Sequence, residues 1–138
     1  MKYFEHESAA TFDEAVSLLK ESPKGKTVVM AGGSDLIGVL KEQILEDYPE
    51  KVVDLKTVRG GEYIKQDGDT IEIGALTKLC DIVKSDLLNE KAPVLSQAAR
   101  SVATPLIRNV ATMGATYARM CAAGFTAIPT ASAAGWTV

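Results

Sequence analysis

The first 57 residues alternate between short β-branched runs, which are typical of strands, and longer segments with apolar residues at helical spacing. Thr11 and Glu14 form a capping-box pattern, and Pro49 interrupts the second helical segment. Strands that alternate with helices in this way predict a small three-stranded sheet covered by helices. The predicted elements are a strand at 2–7, a helix from Thr11 to Pro23, a strand at Thr27–Met30, a helix from about Ser34 to Glu46 and a strand at Lys51–Leu55.

Apolar positions along each predicted helix define the face that we expect to be buried. The positions predicted to face inward are Ala15, Leu18 and Leu19 on the first helix, and Leu36, Ile37, Leu40 and Ile44 on the second.

The second half opens with a hairpin signal, because strand-like residues 63–66 and 70–74 flank the turn sequence 67–69. Thr77 is predicted to cap a helix that runs to about Ser85. The apolar positions predicted for this helix are Leu79, Ile82 and Val83.

A further helix is predicted to begin at Pro93 and to stop before Pro105, since proline suits a first helical turn and restricts the residue before it. Its apolar positions are Val94, Leu95, Ala98, Ala99 and Val102. Residues 107–114, which include Arg, Asn, Thr and Gly, are predicted to form a loop.

The composition is ordinary for a soluble globular protein, with 46% hydrophobic and 24% charged residues among 138. A net charge of −3 gives no attraction toward nucleic acid or an acidic membrane surface. No apolar run approaches the roughly 20 residues that span a bilayer, and no secretory signal pattern follows Met1. We therefore expect a cytoplasmic protein without a membrane span.

Few residues offer catalytic chemistry. His6 is the single histidine, and Cys80 and Cys121 are too few and too far apart for a zinc or cluster motif. We expect Cys80 to be a buried small hydrophobic residue. The sequence predicts neither a metal site nor acid–base or nucleophilic catalysis by the chain's own side chains.

The composition changes at Ala115. From there to Val138 the sequence has no Asp, Glu or Lys, one Arg and eight Ala, with no clean helical or strand period. This pattern favours a disordered or loosely packed tail that does not continue the preceding domain.

Two glycines separate the strand at 27–30 from the helix that follows. Glycine permits positive φ and lets a ligand approach bare backbone, and unpaired N–H groups at a helix start favour an anion such as phosphate. We therefore hypothesise that residues 31–36 hold the diphosphate of a nucleotide cofactor. An ordinary strand-to-helix turn, with Ser34 or Asp35 as its N-cap, explains the same pattern.

Four segments over residues 1–114 occur in a characteristic order: Ala31-Gly32-Gly33-Ser34-Asp35-Leu36, Val53-Asp54-Leu55, Ile73-Gly74-Ala75-Leu76-Thr77 and Ile107-Arg108-Asn109-Val110-Ala111-Thr112-Met113-Gly114. In this order they resemble the N-terminal part of the FAD-binding medium subunit of molybdenum hydroxylases of the xanthine dehydrogenase, carbon monoxide dehydrogenase and 4-hydroxybenzoyl-CoA reductase type.

The resemblance implies an α+β fold, in which a small β-α-β-α-β subdomain precedes an incomplete second α+β subdomain of the vanillyl-alcohol-oxidase (PCMH) type. The implied organisation is an FAD-diphosphate-binding subdomain at 1–57, a partial second subdomain at 58–114 and a non-family tail at 115–138.

The resemblance also implies that FAD is the cofactor and that two segments close over its diphosphate. Backbone N–H groups of Gly32, Gly33 and Ser34 would bind phosphate oxygens, and the hydroxyls of Ser34 and Thr112 would add donors. Ile107 is expected nearer the flavin, whereas Arg108 is expected to be structural, as is Asn109. The predicted cofactor-binding residues are Ala31, Gly32, Gly33, Ser34, Asp35, Leu36, Ile107, Thr112, Met113 and Gly114.

The implied function is that of a flavin subunit, which passes electrons from iron–sulfur clusters through FAD to NAD⁺ or another acceptor. The implied partners are a molybdopterin-binding large subunit and a [2Fe-2S] small subunit. Two other interpretations remain open at this point. In the first, the chain would be a folded remnant without flavin binding or activity. In the second, it would be a small nucleotide-binding or protein-interaction module.

The sequence departs from the family pattern at Ala115 and Thr116, where the family has a second glycine and an asparagine. By comparison with the family, we expect the rest of the FAD domain and a C-terminal domain to be missing. A one-base frameshift in the coding DNA near codon 114 would explain the change, since a shifted frame can encode a family-like continuation. An exposed half-domain surface would be apolar, so we also expect homo-oligomers.

Overall fold

The computed structural model describes residues 1–23, 25–122 and 136–137. The chain divides into two compact units, Met1–Arg59 and Gly60–Val138. None of the helices among the described residues is long and apolar enough to cross a membrane. The division into 1–57, 58–114 and 115–138 stays a prediction.

The first unit is a three-stranded sheet with two helices, as predicted, and its strands are parallel. Strand β3 lies between β1 and β2, and Met30 at the end of β2 pairs with Asp54 at the end of β3. The strand predicted at Thr27–Met30 has these bounds in the structure. The elements are β1 (Glu5–Ser8), α1 (Phe12–Glu21), β2 (Thr27–Met30), α2 (Leu36–Glu42) and β3 (Lys51–Asp54).

The predicted capping box begins helix α1. The Thr11 Oγ1 atom accepts a hydrogen bond from the Glu14 N–H at 3.1 Å. The Glu14 carboxylate in turn accepts one from the N–H of Ala10, one residue before the N-cap, at 2.7 Å. Both bonds satisfy N–H groups that lack partners at a helix start, so Thr11 sets where the helix begins.

The core of the first unit forms around Leu40, Tyr48 and Val52, each less than a tenth exposed. The Tyr48 hydroxyl donates to the Leu40 carbonyl oxygen at 3.1 Å, which ties the segment before β3 to helix α2. Partly buried apolar residues complete the cluster: Phe4, Val28, Met30, Leu36 and Leu45.

Helix α2 is shorter than predicted, and its predicted inner face is partly wrong. The helix ends at Glu42, since Gln43 adopts a left-handed conformation with φ of 54°. Ile44 therefore lies beyond the helix and is 68% exposed, while Leu45 packs on the core instead. Ile37 is also exposed, as is Leu19 on α1.

The second unit combines an antiparallel sheet with five helices among the described residues. The sheet order is β4-β5-β6, and the predicted β4–β5 hairpin turns at Gly68, whose φ is 58°. The strands are β4 (Ile64–Asp67), β5 (Thr70–Ile73) and β6 (Trp136–Thr137), and the helices are α3 (Leu79–Lys84), α4 (Asp86–Lys91), α5 (Pro93–Ser101), α6 (Pro105–Arg108) and α7 (Met113–Ala122).

The helices of the second unit and its β4–β5 hairpin pack around one apolar cluster. This cluster includes the predicted positions Leu79, Ile82 and Val83 of α3. Ser96 on α5 is buried as well, whereas Val94 is 78% exposed, so the predicted apolar stripe of α5 is only partly inside. The buried members of the cluster are Ile73, Leu79, Ile82, Leu88, Ala99 and Ala111.

Two local predictions for the second unit are wrong, and one helix was missed. Thr77 does not cap α3: the helix begins at Leu79 after Lys78, which makes no side-chain cap hydrogen bond. Cys80 is partly exposed rather than buried. Helix α4 was not predicted; Ser85 caps it by accepting from the Leu88 N–H at 3.3 Å.

Residues 107–114 are also not a simple loop. Thr104 accepts a hydrogen bond from the Ile107 N–H at 3.4 Å, and Pro105 occupies the first helical position, so the short helix α6 forms. Helix α7 then starts at Met113 and continues through the predicted break at Ala115. The prediction of a disordered tail from Ala115 is therefore wrong for residues 115–122, which are helical, and for residues 136–137, which form β6; residues 123–135 and 138 lie outside the described residues.

Candidate functional site

The glycine loop, residues 31–35, connects β2 to α2 in the first unit. Gly33 has a φ of 76°, a conformation that L-amino acids other than glycine rarely adopt. A Cβ atom at this position would also lie 3.1 Å from both the Ile37 Cδ1 and the Met30 Sδ atoms. The loop therefore needs glycine at position 33 for its conformation and for its packing.

The loop is held through its carbonyl groups and leaves N–H groups unpaired. The Gly33 oxygen accepts from the Ile37 N–H, and the Asp35 oxygen accepts from the Val39 N–H, both at 3.1 Å. Within the part of the chain that the structure describes, the N–H groups of Gly32, Gly33 and Ser34 donate no hydrogen bond. Three successive unpaired donors on a compact backbone are suited to bind an anion.

The second predicted segment, residues 107–114, lies in the second unit. Ile107 packs against the apolar cluster of that unit. Thr112 is 5% exposed, and its hydroxyl has no hydrogen-bond partner among the described residues. A buried hydroxyl without a partner is unfavourable in an isolated protein, and a ligand oxygen would satisfy it.

The backbone of this segment is already paired, unlike that of the glycine loop. The Met113 N–H donates to the Thr77 oxygen at 2.9 Å, and the Gly114 N–H donates to the Ala75 oxygen at 2.8 Å. A Cβ atom at Gly114 would lie 2.9 Å from that same Ala75 oxygen. Gly114 is therefore required for a close contact within the unit, and the next residue, Ala115, is exposed.

Residues 74–77 support the second segment, a role that the sequence did not predict. Thr77 hydrogen-bonds to both backbone groups of Tyr63, at 3.0 and 2.9 Å. Gly74 has no room for a Cβ atom, which would overlap the Gly61 oxygen. The motif Ile73–Thr77 was visible in the sequence, but a threonine before an apolar stretch has the same pattern as a helix cap.

Three described residues outside both segments, Lys51, Lys65 and Cys80, have a raised pKa. The hydrogen bond to Glu7, at 2.9 Å, raises the pKa of Lys51, and the pKa of Lys65 is raised by its hydrogen bond to Glu72. Burial raises the pKa of the Cys80 thiol, which disfavours a reactive thiolate. No group of three or more metal-binding side chains was found among the described residues.

Residues 2–119 match the model of a family described as the FAD binding domain in molybdopterin dehydrogenase. The chain belongs to this family. The match includes the glycine loop and all of residues 107–114, so both predicted segments lie within the family's domain.

Two relatives with FAD-subunit names align with this chain over the same number of residues. The chain is 32% identical over 124 residues to the nicotinate dehydrogenase FAD-subunit of Eubacterium barkeri, covering 90% of this chain and 41% of that protein. It is 32% identical to the xanthine dehydrogenase FAD-binding subunit of Escherichia coli O157:H7, with 88% and 41% covered. The chain thus spans about 40% of the length of these relatives.

Solved structures of the family share the fold. Carbon monoxide dehydrogenase from Hydrogenophaga pseudoflava superposes with a TM-score of 0.80 at 30% identity, over 85% of this chain and 40% of that chain. The resemblance to FAD subunits of molybdenum hydroxylases is therefore confirmed, as is the α+β fold class of this family. FAD is the family's cofactor.

The residues present fit FAD unequally. The glycine loop fits a diphosphate, because Gly32, Gly33 and Ser34 have unpaired N–H groups. In the second unit, the buried Thr112 hydroxyl is the donor that lacks a partner, whereas the N–H groups of Met113 and Gly114 are used internally. The fit to FAD in this family therefore rests mainly on the glycine loop.

Proposed function

We propose that this chain forms the FAD-diphosphate-binding part of the flavin subunit of a molybdenum hydroxylase. The observation that supports the proposal most directly is the set of three unpaired N–H groups at Gly32, Gly33 and Ser34. Neutral donors of this kind, fixed by the backbone, bind phosphate oxygens without a charged side chain.

Cofactor-binding residues are proposed on each of the two segments. Ala31 and Leu36 bound the glycine loop, Asp35 precedes helix α2, and the Thr112 hydroxyl adds a donor from the second segment. Ile107 lies nearer the flavin in this proposal. The complete set is Ala31, Gly32, Gly33, Ser34, Asp35, Leu36, Ile107, Thr112, Met113 and Gly114.

FAD, when bound, supplies the redox chemistry of such a subunit. In the proposed enzyme, electrons reach it from a [2Fe-2S] small subunit and leave to NAD⁺ or another acceptor, while a molybdopterin-binding large subunit acts on the substrate. A cytoplasmic location belongs to the same proposal. The part of this chain is to bind the diphosphate and orient the cofactor.

Titration of the purified chain with FAD, ADP and FMN tests the proposal. FAD and ADP contain a diphosphate, whereas FMN contains a single phosphate, so we expect the first two to bind and FMN to bind at least tenfold more weakly. Isothermal calorimetry measures all three. A colourless protein that binds neither FAD nor ADP would indicate a folded remnant, and recovery with a non-molybdenum partner and no flavin would indicate an interaction module.

Gly33→Ala provides the matching variant. Alanine would have to adopt a φ of 76°, and its Cβ atom would lie 3.1 Å from the side chains of Ile37 and Met30. We therefore expect the loop to shift and the affinity for ADP to fall by at least tenfold. Gly25→Ala is the control, because Gly25 has a φ of 86° in the same unit but nothing within 4 Å of an added Cβ atom. Equal loss of affinity in both variants would contradict a specific role for the loop.

A further inference from the structure

Thr77 is the centre of a hydrogen-bond network in the second unit. Its hydroxyl accepts from the Tyr63 N–H at 3.0 Å and donates to the Tyr63 oxygen at 2.9 Å. Its carbonyl oxygen accepts from the Met113 N–H at 2.9 Å. The residue is 3% exposed, so water does not compete for these bonds.

Neighbouring backbone bonds extend the network on both sides. On one side, the Leu76 N–H donates to the Gly61 oxygen and the Gly74 N–H donates to the Tyr63 oxygen, each at 2.8 Å. On the other side, the Gly114 N–H donates to the Ala75 oxygen, also at 2.8 Å. Residues 74–77 are thus fixed by the segment before β4 and in turn fix the start of α7.

We propose that Thr77 is a positioning residue for the cofactor segment 112–114. The side chain holds Tyr63 while the main chain holds Met113, so loss of the hydroxyl would release the strand-like support under Thr112. The isolated bridge between Lys78 and Thr112 continues this support by one residue. The inference rests on the proposed function for the identity of the ligand, but the network itself does not depend on FAD.

Amide hydrogen exchange of the ligand-free chain tests the network. We expect Thr77→Val to speed exchange of the Met113 and Gly114 amides by about tenfold more than exchange of the Ile82 amide, because a buried hydrogen-bonded hydroxyl has been lost locally. Thr77→Ser keeps the hydroxyl and should restore exchange close to that of the wild type.

Ser96→Ala is the control for a purely structural effect. Ser96 is 2% exposed in the same unit, and its hydroxyl lies 2.6 Å from the Asn89 Oδ1 atom and 3.4 Å from the Val83 oxygen. This variant should speed exchange of Met113 and Ile82 in proportion. If Thr77→Val also raises both rates in proportion, the positioning role is wrong.

A measurement on the wild-type chain covers the case in which Thr77→Val does not fold. In native-state exchange across a urea series, the Tyr63 and Met113 amides should follow one opening curve, since both bond to Thr77. Separate curves for the two amides would overturn the proposal.

Affinity for FAD separates this inference from the proposed function. If the wild type binds FAD, Thr77→Val should bind about tenfold more weakly and Thr77→Ser should bind normally. Failure of the wild type to bind FAD or ADP would reject the proposed function and leave the exchange result to decide the role of Thr77. Normal FAD affinity in Thr77→Val would reject the positioning role.

Discussion

Two buried threonines differ from the other buried polar residues, because the hydroxyls of Thr27 and Thr112 have no hydrogen-bond partner among the described residues. Thr27 begins β2 and Thr112 precedes α7. An unpaired buried hydroxyl lowers stability unless a ligand or a water satisfies it. The two residues therefore allow a comparison between a site with a proposed ligand and one without.

Thr27→Val should stabilise the protein. Valine has nearly the same shape, suits a strand and removes the unpaired hydroxyl, so we expect the free energy of unfolding to rise by about 1 kcal/mol. Urea denaturation followed by circular dichroism measures the change. A loss of stability would show that the hydroxyl has a partner, such as a bound water.

Thr112→Val should stabilise the ligand-free protein by a similar amount, about 1 kcal/mol, but weaken FAD binding. Stability and affinity change in opposite directions, because the Thr112 hydroxyl is unpaired in the ligand-free protein but donates a hydrogen bond when FAD is bound. Parallel urea and FAD titrations measure both effects, with Thr27→Val as the variant whose FAD affinity should not change. Unaltered FAD affinity in Thr112→Val would remove Thr112 from the site.

Among the elements, helix α2 ends at a residue that is poorly suited to its conformation. Gln43 has a φ of 54°, and a left-handed conformation costs a non-glycine residue about 1–2 kcal/mol. Gln43→Gly removes this strain but adds freedom to the unfolded chain, so we expect a net gain of about 0.5 kcal/mol. Thermal unfolding measures the gain.

Glu42→Gly is the control for this prediction. Glu42 is the last residue of α2, so glycine there should cost up to about 1 kcal/mol. If both variants lose stability equally, the left-handed conformation of Gln43 does not destabilise the protein.

Strand β2 and the end of helix α2 show where sequence prediction succeeds and where it does not. The strand at Thr27–Met30 could be predicted to the residue, because a β-branched run lies between Gly25 and Gly32. The end of α2 could not be predicted, because Gln43 is neither glycine nor asparagine and no pattern marks it. Local signals thus define elements only where a residue type imposes its conformation.

Residues 74–77 illustrate a second limit. The sequence places Thr77 before an apolar helical stretch, and a capping role is the local explanation. The hydroxyl instead bonds to Tyr63, fourteen residues earlier. Partners that are distant in sequence decide the role of such a residue, so the glycine loop was predictable from its own pattern whereas the support of Thr112 was not.

At the scale of the whole molecule, exposed apolar side chains favour the self-association that the sequence predicted. Leu106 is 79% exposed and Val110 is 44% exposed, four residues apart in the second unit. Exposed apolar patches promote association, so we expect a concentration-dependent oligomer in sedimentation velocity.

Leu106→Glu tests this prediction. The charged side chain should shift the sedimentation profile toward monomer, whereas Ser101→Glu adds the same charge at another exposed position and should leave the profile unchanged. A wild-type chain that stays monomeric at all concentrations would contradict the prediction, and so would an equal shift in the two variants.

The order of strands in the first sheet has a consequence for synthesis of the chain. Strand β3 lies between β1 and β2, which do not pair with each other. Glu5 in β1 therefore cannot pair until Lys51 in β3 has been synthesised. At roughly 5–20 residues per second on the ribosome, β1 and β2 remain without a partner strand for a few seconds. Pairing over such separations is slow compared with helix formation. The nascent chain should therefore be most open to proteases and chaperones just before Lys51–Asp54 leaves the ribosome.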